Sequence, residues 1–120
     1  MHQLHIQVKP LRATNVVHLH GAIDSNNFAG LVLTLNQLFT KPAAQIILEC
    51  SQVSYIGTAE LKELLDLAHI ARARGGDIKC ARLAPTIEQV ATLIANGDPL
   101  ECFPDVSYAL ASFHSERVPA

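Results

Sequence analysis

Apolar and polar positions alternate at two different periods along the chain, and the changes of period mark its elements. Leu4, Ile6 and Val8 alternate with His5, Gln7 and Lys9, as in a half-buried strand, and Pro10 predicts its end. Arg12-Ala13-Thr14-Asn15 predicts a turn. Val17, Leu19 and Gly21 then alternate with His18 and His20, a second strand that folds back on the first as a hairpin. Asp24-Ser25-Asn26-Asn27 is a cluster of helix-capping residues, and a cap at Asp24 is the bland role open to that carboxylate. Behind it Phe28, Leu31, Leu35 and Leu38 recur at helical spacing and stop before Pro42.

Ile46-Ile47-Leu48 belongs to an apolar run too short for a globular helix and rich in β-branched residues. It predicts a strand buried on both faces, roughly from Gln45 to Glu49, followed by a loop. Leu61, Leu64, Leu65, Ala68 and Ala71 return to helical spacing, with Lys62, Glu63, Asp66 and Arg72 mostly on the other side. That helix is expected from Thr58 or Ala59 to Arg74, and Gly75-Gly76 supplies a left-handed cap. A strand over Asp77 to Ala81 follows. Pro85 suits a first helical residue, Ile87, Val90, Ala91 and Ile94 form the stripe, and Asn96-Gly97 ends it. Leu100 to Phe103 predicts a short edge strand, and Asp105 caps a last helix with Ala109, Leu110 and Phe113 inward.

Helices between the later strands require crossover connections and therefore parallel pairing, whereas the opening hairpin is antiparallel. The expected architecture is a single α/β domain over residues 1–114, with a mixed sheet opened by an antiparallel hairpin and about four helices mainly on one face. The tail from Ser115 to Ala120 reads as loose.

A length of 120 residues accommodates one such domain, and 49% hydrophobic residues suffice for its core. A net charge of −2 without a basic stripe argues against direct contact with nucleic acid. Cys50, Cys80 and Cys102 are odd in number and lack C-x-x-C spacing, and neither a cleavable signal nor a long apolar span is evident. A reducing cytoplasm, without direct membrane contact, is the expected compartment, with the three thiols as small core side chains.

The handover from buried strand to helix carries the candidate chemistry. Thr58 presents a hydroxyl at or near a helix N-terminus, where free N–H groups and the positive end of the dipole favour an anion. The run Ile47-Leu48-Glu49-Cys50-Ser51-Gln52-Val53-Ser54-Tyr55-Ile56-Gly57-Thr58-Ala59-Glu60-Leu61 resembles the signature of STAS domains, the bacterial anti-sigma-factor antagonists. His20-Gly21-Ala22-Ile23-Asp24 and Gly75-Gly76-Asp77-Ile78 extend the likeness over nearly the whole chain.

The resemblance implies that Thr58 occupies the position of a Ser phosphorylated by a partner. That partner is an anti-sigma factor of serine-kinase ATPase fold, which binds only the unmodified antagonist. A phosphate adds about −1.5 to −2 charges to a surface the partner must desolvate, which weakens binding unless new Arg pairs form. Asp24 resembles the family's carboxylate beside the acceptor. Ser25, Asn26, Ser54, Tyr55, Gly57, Ala59 and Glu60 complete the implied partner-binding face. Gly57 stands where the family most often has Asp, Thr58 where it has Ser, and Glu60 where it has Gly. These departures keep two bland roles in view: Thr58 as a helix cap only, and the domain as a non-switching scaffold subunit of a phospholipid-transport ABC system or stress-signalling complex.

His5, His18 and His20 fall on one strand face, with His5 expected across from His20. No carboxylate or Cys in those strands completes a tetrahedron, so a solvated or partner-covered face is expected rather than metal. No nucleophile and base can be placed together by spacing, and no Gly-rich phosphate loop is present, so neither catalysis nor a cofactor is expected. Self-association is left open.

Overall fold

The computed structural model describes residues 3–116. Among these, nine elements follow one another: β1 (His5–Leu11), β2 (Thr14–Ile23), α1 (Phe28–Leu38), β3 (Gln45–Ile56), α2 (Thr58–Ala73), β4 (Asp77–Ala81), α3 (Pro85–Ile94), β5 (Cys102–Phe103) and α4 (Val106–Glu116). The strands lie in the order β1-β2-β3-β4-β5. Only β1 and β2 are antiparallel; the other neighbours are parallel, as helical crossovers demand. The mixed sheet and its opening hairpin follow the sequence pattern.

Side-chain alternation sorts the strands into two faces. Val17, Leu19, Ile46, Leu48, Cys50, Ile78 and Cys80 pack against the apolar stripes of α1, α2 and α3. Val16, Ile47 and Ala81 face the other way and meet Ala109 and Phe113 of α4. Three helices cover one face and one covers part of the other. This is why Ile46, Ile47 and Leu48 are all fully buried: the middle of β3, like β4 beside it, is sandwiched from both sides.

The second face contains a cation. Lys79 is 0% exposed; its Nζ donates to Ser112 Oγ at 2.8 Å, lies 3.5 Å from Glu101 Oε1, and sits 4.3 Å from the centroid of the Phe113 ring. The alternation of β4 forces this side chain under α4, where a hydroxyl, a carboxylate and an aromatic face offset its desolvation.

Local differences from the sequence reading have physical causes. β1 runs through Pro10 to Leu11, because β1 is an edge strand and the missing N–H can face outward. The hairpin turn is only Arg12-Ala13, with Arg12 at φ 57°, and Thr14 already belongs to β2. The helix cap at Asn27, not Asp24, starts α1. β3 does not give way to a loop near Glu49 but continues to Ile56. His20, Gly21, Ala22 and Ile23 of β2 supply parallel partners for Gln52, Val53, Tyr55 and Ile56, through two register irregularities. Of the loose tail expected from Ser115, Ser115 and Glu116 lie in α4, and 117–120 fall outside the described residues.

Past α2 the chain reverses at Gly75, whose φ of 88° is a left-handed value, and the Gly76 N–H donates to Ala71 O at 2.9 Å. Arg72 closes this end of the domain: Nε donates to Asp77 Oδ1 and Nη1 to Asp98 Oδ1, each at 2.8 Å. Burial raises the Asp77 carboxyl above its ordinary value of 3.8, against the lowering effect of the adjacent Arg72 guanidinium.

Candidate functional site

The carboxyl ends of β2 and β3 form two lips of one surface. Ile23 and Ile56 are register partners, and just beyond them the Gly57 N–H donates to Ile23 O at 3.0 Å. Asp24 directly follows Ile23, and Thr58 directly follows Gly57, so both stand at the carboxyl ends of these neighbouring strands. α2 starts at Thr58 because Gly57 is extended (φ −61°, ψ 147°) and its carbonyl accepts the Leu61 N–H at 2.9 Å. Leu61, Leu64 and Leu65 then bury the inner face of the helix and fix its direction.

Thr58 is thus the first helical residue. It is exposed, and among the described residues its hydroxyl has no hydrogen-bond partner. The role of a mere cap is excluded, since Gly57 takes that position and no side chain caps α2. The free N–H groups of the first turn therefore point outward beside an exposed hydroxyl. Ala59, Ser54 and Tyr55 are exposed as well, Tyr55 by 54%, whereas Gly57 is buried and Glu60 half-buried.

Glu60 bends back over Gly57: its Oε1 occupies the space that a Cβ at residue 57 would take, and the Tyr55 hydroxyl lies 3.7 Å from that point. A carboxylate in the first turn suits the helix dipole. The chain therefore lacks a carboxylate at 57, and the carboxylate of residue 60 fills the space beside that backbone.

On the other lip, a local network fixes the loop. Asp24 is half-buried, and its carboxylate accepts the Asn26 N–H at 2.9 Å. Its backbone N–H donates to Asn27 Oδ1 at 3.0 Å, and Asn27 Nδ2 donates to Ala22 O at 2.8 Å. Asp24 thus orders the loop, while Asn27 closes it onto the sheet. Ser25 and Asn26 project into solvent. Sequence reasoning missed the clamping role of Asn27 and the reach of Glu60. The first was signalled by its place immediately before Phe28, but nothing local signalled the second.

The histidines lie elsewhere on the sheet, on the part of the second face that α4 leaves open. His5 and His20 are register partners with ring centroids 6.0 Å apart, and His18 is the partner of Glu49. With Gln7, Ser51, Gln52 and Arg82 they line a shallow cleft of about 700 Å³. Among the described residues no group of three or more His, Cys, Asp or Glu side chains could hold a metal ion.

Residues 5–109 match the family model described as the STAS domain. The chain belongs to the STAS domain family. The fold of this STAS domain is similar to that of an anti-sigma factor antagonist from Mycobacterium paratuberculosis, with a TM-score of 0.79 and 18% identity over 93% of this chain and 95% of that one. It is similar also to the anti-sigma factor antagonist SpoIIAA in its unphosphorylated form, with a TM-score of 0.71 and 17% identity over 97% of this chain and all of that one. A third likeness is to the murine anion transporter Slc26a9, with a TM-score of 0.68 and 17% identity, where 89% of this chain covers 18% of the transporter. No curated protein matches the chain. No helix among the described residues is long and apolar enough to cross a membrane.

Proposed function

We propose that this STAS domain is a cytoplasmic anti-sigma-factor antagonist. It docks onto an anti-sigma factor of serine-kinase ATPase fold through Thr58, Ala59, Tyr55 and Ser54 on one lip and Asp24, Ser25 and Asn26 on the other. Phosphorylation of Thr58 by that kinase ends the association. The observation that carries the reading is the position of the Thr58 hydroxyl: exposed, without a hydrogen-bond partner among the described residues, and at the start of α2, just past the Gly57 to Ile23 hydrogen bond that joins the two strand ends. A phosphate there meets free helix N–H groups, so the domain can hold it without unfolding, while its charge opposes docking of the kinase. The domain is then a kinase substrate and a regulator, not a catalyst.

The test is to mix the protein with its candidate kinase and ATP and follow intact mass and complex formation. A single phosphate on Thr58 and a complex lost upon modification support the reading. Absence of both the phosphate and the initial complex overturns it.

One observation favours a second reading, a scaffold subunit that does not switch. The Glu60 carboxylate already lies over Gly57, so a phosphate on Thr58 meets an anion within the same turn. In Slc26a9 a similar fold forms part of a much longer chain. Thr58→Asp separates the two: it weakens association severely in a switch and leaves it nearly unchanged in a scaffold.

A further inference from the structure

Three free thiols lie on three adjacent strands: Cys50 on β3, Cys80 on β4 and Cys102 on β5. All belong to the same core face, Cys50 and Cys80 each 2% exposed and Cys102 half-buried on the two-residue edge strand. The Cys80 thiol sits between the other two and interacts with both. The pairings are unequal. Cys80 and Cys102 are direct register partners, so their Cα atoms are separated by one strand spacing of about 4.7–4.9 Å, inside the range of about 4.4–6.8 Å that a disulfide accepts. The register partner of Cys80 on β3 is Leu48, which places Cys50 two residues further along. With a rise of about 3.3 Å per residue the diagonal is about 8 Å, beyond what a disulfide spans without backbone movement.

We propose that Cys80 and Cys102 form an oxidisable dithiol that hydroperoxides convert to an intramolecular disulfide, with Cys102 as the reacting thiol and Cys80 as the resolving one. Access decides the order, since only Cys102 is reachable from solvent. The electrostatics agree: the Cys80 S–H lowers the pKa of Cys102 by donating to its thiolate, whereas Cys80 itself is pushed well up by its thiol neighbours and by burial. The Cys102 sulfur attacks the O–O bond, which breaks to leave a sulfenic acid and release an alcohol, or water from hydrogen peroxide. The Cys80 sulfur then attacks the Cys102 sulfur; the S–S bond forms, the S–O bond breaks, and hydroxide leaves with the Cys80 proton as water. In total two thiols are oxidised, one hydroperoxide is reduced, and two protons leave in the products.

The bond staples β5, which two backbone hydrogen bonds from Cys80 and Arg82 already hold to β4, and it closes a loop over residues 80–102 that contains α3. A bond that ends on the partly exposed Cys102 of an edge strand is open to reductants, hence readily reduced again. This site is independent of the partner reading at Thr58.

The experiment treats the reduced full-length protein with hydrogen peroxide, blocks remaining thiols under denaturing conditions with an alkylating agent, and maps the peptides. The expected result is the loss of two hydrogens in intact mass, one alkylated thiol at Cys50, a linked Cys80–Cys102 peptide, and full reversal by dithiothreitol. Cys50→Ser keeps the link and Cys102→Ser abolishes it. Three alkylated thiols after treatment, a link that includes Cys50, a disulfide between two chains, or Cys102 oxidised to sulfinic acid with Cys80 still alkylated would each overturn the proposal.

Discussion

Gly57 and Glu60 share one volume: the carboxylate of the second fills the place where the first has no side chain. Gly57 has φ −61°, a value any residue adopts, so its lack of a Cβ is required by the neighbour and not by the backbone. Gly57→Ala alone must displace the flexible end of Glu60. We expect it to change stability by less than about 0.5 kcal/mol, because the entropic gain of replacing Gly is offset. In an Glu60→Ala background the same change should stabilise by about 0.4–1 kcal/mol. A double-mutant cycle by urea denaturation measures the difference, and strict additivity would contradict the contact.

Thr58→Val keeps the shape of the residue and removes the acceptor oxygen. Because the hydroxyl has no hydrogen-bond partner among the described residues, the variant should unfold within about 0.5 kcal/mol of the wild type, as exposed positions do. It should bind the kinase and resist modification. Thr58→Asp, equally stable, should bind at least about tenfold more weakly, an order of magnitude for about 1.4 kcal/mol. Calorimetric titration of both variants reads the two effects.

Lys79 tests what holds α4. Lys79→Met retains the stem and removes the charge, and replacing a buried ion by an apolar isostere is often neutral or stabilising, so a change between about 0 and +2 kcal/mol in stability is expected. Lys79→Ala leaves a cavity beneath Phe113 and should cost about 2–4 kcal/mol. Amide exchange in α4 should accelerate in the Ala variant and not in the Met variant.

Asp77 sets a pH dependence of unusual sign for a carboxylate. Its folded-state value is raised, so the native state binds more protons than the unfolded chain, and stability from this group is present below 3.8 and lost as pH rises through the raised value. Asp77→Asn, which can still accept from Arg72 Nε and the Ile78 N–H, should remove that component. Denaturation of both proteins between about pH 3 and pH 7 should show the variant gaining on the wild type toward neutrality.

Much of this architecture was legible beforehand. Ile46-Ile47-Leu48 announced a strand covered on both sides, Gly75-Gly76 the reversal, and Pro85 the start of α3, because each depends on local chemistry. The second half of β3 was not legible. Ser51, Gln52 and Ser54 look like loop residues, and only the irregular pairing with β2, contributed from 32 or 33 positions upstream, makes them a strand. Among site residues, the exposure of Thr58 followed from its place where a buried strand hands over to a helix. The bend of Glu60 onto Gly57 did not, because a rotamer is chosen by its surroundings and leaves no periodic trace.

The hydrogen bond from Gly57 to Ile23 has a consequence for recognition. Both lips are extensions of neighbouring strands in one sheet, so they cannot open or close independently. On the proposed reading, a binding protein meets a contour shaped before contact, little backbone freedom is surrendered on this side, and encounter resembles the fitting of two solid bodies more than the folding of one around the other.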